Sequence, residues 1–144
     1  MRRLALLLVV GCAACGSDPE APTPMQLPVA GAWSLSQLVQ AGGTTCGEGG
    51  SLTITQPSLT QTLIAGTFGA RGACETPSIA VDFVRSGDIL NGAVDATRIR
   101  FSLGVCSYEG TLTGTPPSAA GGTARCTGLP GTTGELVGTW ELQR

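Results

Sequence analysis

Arg98-Ile99-Arg100-Phe101-Ser102-Leu103 alternates polar and apolar residues without a break. Successive side chains of a strand point to opposite faces, so Ile99, Phe101 and Leu103 read as its buried side and Arg98, Arg100 and Ser102 as its wet side. The same period recurs outward in both directions. Leu52 and Ile54 alternate with Ser51, Thr53 and Thr55, and Ile79, Val81 and Phe83 with Ala80 and Asp82. Downstream, Tyr108 and Leu112 alternate with Ser107, Glu109, Thr111 and Thr113, and Trp140 and Leu142 with Thr139, Glu141 and Gln143. A helical period is never sustained; its best stretch is Trp33 to Gln40. Turns rich in Gly, Pro and Ser separate the alternating runs. The pattern predicts an all-β antiparallel domain of eight or nine strands, near residues 32–40, 50–56, 61–69, 78–85, 88–95, 98–105, 106–114, 121–127 and 137–143.

An apolar residue, a spacer, Gly, then Ala or Thr occurs five times, with its glycines at Gly31, Gly66, Gly92, Gly114 and Gly138. Glycine at such places lets strands coil sharply or approach closely, as small closed barrels require. Unequal spacing between the copies suits successive hairpins and not a solenoid or propeller. The outermost copies extend to Gly31-Ala32-Trp33-Ser34-Leu35 and Gly138-Thr139-Trp140-Glu141-Leu142, a shared G-x-W-x-L that holds both tryptophans of the chain. Pairing of first and last strands through Trp33 and Trp140 closes the sheet and removes both edges. An early G-x-W strand in an all-β domain resembles the calycin group, the lipocalin and avidin-like up-and-down barrels. That resemblance implies a Trp33 packed at the closed end of the barrel beside an Arg, with Arg144 or Arg125 as candidates. Avidin-type biotin sites use several tryptophans, which this chain lacks.

The chain opens Met1-Arg2-Arg3, followed by an apolar run from Leu4 to Val10 and small residues up to Cys15. This run is shorter than the ~20 residues that span a bilayer and reads as an export signal. Its end resembles the lipobox of bacterial lipoproteins, in which a Cys after a small residue receives lipid. Cys12, after Val9-Val10-Gly11, and Cys15, after Cys12-Ala13-Ala14, compete for that role. Cys15 is preferred: it leaves a longer apolar core in the signal, and it leaves four cysteines to pair in an oxidising compartment. The organisation expected is therefore a signal peptide over residues 1–14, a lipidated Cys15 with a Pro-rich tether over 15–28, and a β-barrel over 29–144. Gly16 after the anchor is not the Asp that resembles an inner-membrane retention signal, which points to the outer membrane.

Cys46, Cys74, Cys106 and Cys126 contain no C-x-x-C and read as disulfides, not as a metal site. Cys106 and Cys126 are equidistant from Pro116, and Cys46 and Cys74 are centred near Thr60, beyond the Gln56-Pro57-Ser58 turn. Hairpin strands set such residues opposite each other, so Cys46–Cys74 and Cys106–Cys126 are expected.

Among 144 residues there is no His and, with all eight basic residues Arg, no Lys. Ser-His-Asp and Cys-His nucleophile systems, His metal ligands, Lys Schiff bases and phosphate-loop lysines are thereby excluded. The carboxylates Asp82, Asp88, Asp95, Glu109 and Glu141 are scattered, and the Arg98/Arg100 pair reads as an outward face matched by acids across the sheet. No cofactor and no metal is expected, and an acidic chain without Lys is a poor nucleic-acid binder. The reading is a monomeric, lipid-anchored envelope protein that is not an enzyme and holds a small hydrophobic ligand. Its alternative is a protein-interaction module resembling the small β-barrel lipoproteins that inhibit proteases.

Overall fold

The computed structural model describes residues 21–144, which form eight strands and no helix. In chain order these are β1 (Gly31–Ala41), β2 (Thr44–Thr55), β3 (Leu63–Glu75), β4 (Ala80–Asp95), β5 (Arg98–Leu103), β6 (Cys106–Thr113), β7 (Ala119–Thr127) and β8 (Glu135–Gln143). Each pairs antiparallel with the next, and β1 pairs antiparallel with β8, so the sheet closes into an up-and-down barrel. The closing ladder sets Leu35 opposite Leu142 and Gln37 opposite Trp140. Trp33 and Trp140 therefore lie on adjacent strands at different heights. Both are buried, as the shared motif requires.

Two expected elements are redrawn. The runs 78–85 and 88–95 are one strand, β4, which reduces the count to eight. Gly87, between the two expected runs, lies within that strand opposite Phe68. The bend comes later, at a bulge between Leu90 and Ala93 where Asn91 takes a φ of 52°. The Gly/Thr-rich stretch 44–50, left between the expected runs 32–40 and 50–56, is the first half of β2. Its inward Cys46 is tied to Cys74 on the adjacent β3 and its Glu48 to Arg85 of β4, and these contacts override a weak local strand signal.

Of the five repeated glycines, Gly66, Gly92 and Gly138 face a neighbouring strand so closely that a Cβ would run into the carbonyl of Thr53, Ile64 or Leu38. These are the coiling points of the barrel wall. Gly31 and Gly114 differ: one opens β1 and the other sits in the β6–β7 turn.

Two different devices close the ends of the barrel. At the end where β1 begins, residues 25–30 cross the opening. Val29 is fully buried there and Gln26 nearly so; Gln26 bonds the backbone of Leu59 and Ala96. Val29 N–H donates to Gln56 Oε1, and Trp33 Nε1 donates to Val29 O at 2.8 Å. The Arg144 guanidinium carbon lies 4.4 Å from the Trp33 ring centroid, which selects Arg144 of the two candidates. At the opposite rim both expected disulfides are formed, with Cα–Cα distances of 4.0 Å for Cys46–Cys74 and 4.1 Å for Cys106–Cys126. The β7–β8 loop buries Leu129 in the mouth, and Gly131 reaches across to the Val81 side chain.

Candidate functional site

Inward positions follow strand alternation, so every second residue of each strand enters the lumen. Near the β1 end they are apolar: Trp33, Leu52, Ile54, Ile64, Ile99 and Leu142. At mid-height Phe101 stacks on Tyr108, with ring centroids 4.8 Å apart, and both rings stand nearly perpendicular to that of Trp140. The indole Nε1 of Trp140 donates to the carbonyls of Glu109 and Thr123, so its polar edge is satisfied within the wall.

Above this aromatic layer four polar side chains converge from four strands: Gln37 of β1, Glu48 of β2, Arg85 of β4 and Tyr108 of β6. Arg85 grips the Glu48 carboxylate with two nitrogens, Nε reaching Oε1 at 3.0 Å and Nη2 reaching Oε2. Its remaining nitrogen, Nη1, donates to Leu103 O at 2.9 Å. Gln37 Nε2 donates to Glu48 Oε2 at 2.9 Å, and Tyr108 OH donates to Gln37 Oε1 at 2.5 Å. Gln37 also lies beside the Cys106–Cys126 sulfurs. The Glu48 side chain is wholly inaccessible and Arg85 only 12% exposed. No buried side-chain polar atom among the described residues lacks a partner.

The titration behaviour follows from this geometry. Burial pushes the Tyr108 hydroxyl up to about 12, with the Arg85 charge opposing and the Glu48 charge assisting. For Arg85, burial works to lower the pKa, but the hydrogen bond and charge of Glu48 outweigh it and raise the value above its ordinary one. The Glu48–Arg85 pair is a fixed ionic bridge, saturated by its own neighbours.

The residues singled out from sequence fall into separate places. The four paired cysteines brace the rim, and Trp33 and Trp140 fill the lumen. Arg98 and Arg100 face outward, opposite Asp95 and Glu109 in register. The two ion pairs among the described residues are Glu48–Arg85 and the exposed Arg125–Glu135. Asp82, Asp88, Asp95, Glu109 and Glu141 are all exposed and do not converge, and the described residues hold no cluster suited to a metal. Cys12 and Cys15 lie outside the described residues.

Sequence reasoning missed Gln37, Glu48 and Arg85. Gln37 shares its phase with Trp33, Leu35 and Val39, and Arg85 shares its phase with Val81 and Phe83. A polar residue on the apolar beat was the available signal. Glu48 had none, because its glycine neighbours hide the alternation.

No family model matches the chain, and no curated protein matches it. Among solved structures the chain is similar to an S-type phycobiliprotein lyase from Guillardia theta, at a TM-score of 0.39 and 10% identity, over 80% of this chain and 86% of that one. A likeness so loose carries no argument about what this chain binds or does. That protein is by name a lyase. The lack of His and Lys removes particular catalytic devices and not enzymatic chemistry as such, so the expectation that the chain is not an enzyme is withdrawn.

Proposed function

We propose that the protein is a lipid-anchored component of the cell envelope whose barrel works from its outer surface and rim, as a protein-interaction module. The observation that carries this reading is the filled lumen. Eight-stranded barrels have an interior just wide enough for side chains to fill or for one small ligand. Here an aromatic layer and a saturated ionic bridge span it, Val29 plugs one end and Leu129 the other. Concavities are found on the outside of the wall, between residues such as Arg71 and Val84 or Arg100 and Thr123. A small hydrophobic ligand inside the barrel has less support, because the inner space nearest the rim is ionic.

The anchor completes the reading. The described chain begins at the plugged end, so a tether rising from a lipid on Cys15 meets the barrel there and leaves the disulfide-braced rim facing away from the membrane. The outer membrane is the proposed location, on the evidence of Gly16.

Two measurements test this. Intact-mass analysis of the protein taken from its own envelope should place acyl chains on Cys15. Acylation on Cys12 corrects the site, and an unacylated chain removes the anchor. Native mass spectrometry of the same material should show a protein partner and no small molecule; a retained apolar ligand would overturn the interaction reading.

A further inference from the structure

The barrel wall is incomplete on one side. β4 pairs with β3 from Ala80 to Asp88 and beyond, but it meets β5 only from Ile89, opposite Leu103, downward. The cause is a mismatch in length: β4 has 16 residues and β5 has 6, and the β5–β6 hairpin turns back at Gly104 and Val105, below the rim. The upper part of β4, Ala80 to Asp88, therefore has a second edge to which no strand is paired among the described residues. Every second residue along that edge offers an N–H and a C=O to an incoming chain.

This edge is held firmly. β3 covers its other side, and the Cys46–Cys74 disulfide ties β3 to β2 at the same height. Arg85 fixes it from within by reaching Glu48 on one side and the Leu103 carbonyl on the other. Its outer face carries Asp82, Val84, Ser86 and Asp88, all exposed. Val84, at 75%, is more exposed than any other large apolar residue described. Neither aspartate belongs to an ion pair among the described residues.

We propose that this edge takes up an extended segment of a partner protein as an added strand, with an apolar residue opposite Val84 and basic residues opposite Asp82 and Asp88. Main-chain hydrogen bonds supply affinity in such strand addition, and alternate side chains supply selectivity. The two unpaired carboxylates on one face set the partner's charge. A second copy fits less well, since antiparallel pairing centred on Val84 brings the Asp82 of one copy diagonal to the Asp88 of the other. The proposal deepens the interaction-module reading by naming its surface and the chemistry of its partner.

The test uses the full chain in detergent and the blocked peptide Lys-Thr-Thr-Thr-Val-Thr-Lys, which in antiparallel register sets its lysines on Asp88 and Asp82 and its valine on Val84. Hydrogen exchange of residues 80–88 should slow on addition of the peptide, and a twin peptide with Glu at both ends should bind about tenfold more weakly. The Asp82→Lys/Asp88→Lys variant should reverse that preference; both sites are exposed, so its melting temperature should hold. If that variant fails to fold, the two peptides on the unaltered chain decide alone. Exchange in 80–88 unchanged at millimolar peptide overturns the proposal, and so does equal protection by both peptides. Protection that grows with protein concentration in the absence of peptide assigns the edge to a second copy and overturns it too. A partner seen by native mass spectrometry alongside unprotected residues 80–88 leaves the interaction reading standing and removes only this edge.

Discussion

The two ends of the barrel are closed by different physics. At the plugged end the seal is the chain's own backbone, Gln26 to Ala30, held by neutral hydrogen bonds and by Arg144 over Trp33. At the rim the seal is covalent and ionic: two disulfides, the Glu48–Arg85 bridge, and a loop that drops Leu129 into the mouth. The difference tracks how much wall each end has. Where the ladders run into one another, packing and a crossing segment suffice. Near the rim β5 stops short; Arg85 reaches Leu103 O across the gap, and the disulfides lock the paired strands β2–β3 and β6–β7 beside it.

Removing the wall itself should have the largest effect. Deleting Val137–Arg144 takes away most of β8, both its ladders and the Arg144 contact. The truncated domain should aggregate or lose its cooperative melt, because the edges of β1 and β7 are then bare. A monomer with an unchanged melting temperature would show that closure contributes nothing.

Next in size is the ionic bridge. Glu48→Ala strands Arg85 in the lumen and should cost about 3–5 kcal/mol in denaturant unfolding, with the 12% exposure of Arg85 favouring the lower figure. Glu48→Leu combined with Arg85→Met should recover much of that loss, since no charge is left unpaired. If the double variant is as unstable as the single one, the bridge acts by geometry and not by paired charge.

Removing Cys106–Cys126 by double Ala substitution frees a 20-residue separation and should cost about 3 kcal/mol in the chain-entropy account. Native-state exchange should quicken at the rim and hold its rate at the plug. Equal quickening at both ends would mean that the barrel opens as a single unit.

Much of this contrast was legible in the sequence, and the illegible part has a physical reason. Alternation at Ile99, Phe101 and Leu103, the paired G-x-W-x-L strands and the cysteine spacing about Pro116 gave the fold, the closure and the disulfides, since each is a local period or a symmetric count. The interior ionic bridge depends on β1, β2, β4 and β6 converging. No local period records a contact between residues 37 positions apart, such as Glu48 and Arg85. The open edge of β4 was hidden by the break expected between residues 85 and 88, which split one long strand into two of ordinary length.

The chain has a single tyrosine, so alkaline titration isolates Tyr108. Its hydroxyl titrates at about 12 in the fold against an ordinary value of 10.0. The unfolded chain therefore sheds this proton first, and the stability tied to it is whole below pH 10 and lost as pH rises to 12. The loss should approach ~2–3 kcal/mol. It should vanish in Tyr108→Phe, whose lower stability at neutral pH reflects the Gln37 Oε1 left without its donor. A pH dependence that survives Tyr108→Phe would assign the alkaline loss to another group.

The smallest effect expected belongs to the plugged end, and it sharpens the comparison most. Arg144 is exposed, yet Nη2 donates to Ala30 O at 2.8 Å and the guanidinium lies over the Trp33 ring. Arg144→Ala should cost about 1 kcal/mol, in keeping with one exposed cation–π contact and one hydrogen bond at the surface. Arg144→Lys should recover only part of that, because an ammonium keeps the charge but not the planar fork. The loss should stay local. The N–H groups of Gln26 and Ala96, which bond Leu59 O and Gln26 Oε1, should exchange about fivefold faster, while those flanking Cys106 and Cys126 keep their rates. Faster exchange at the rim in Arg144→Ala would mean that the crossing segment supports the whole barrel, and the two ends could no longer be treated as separately sealed.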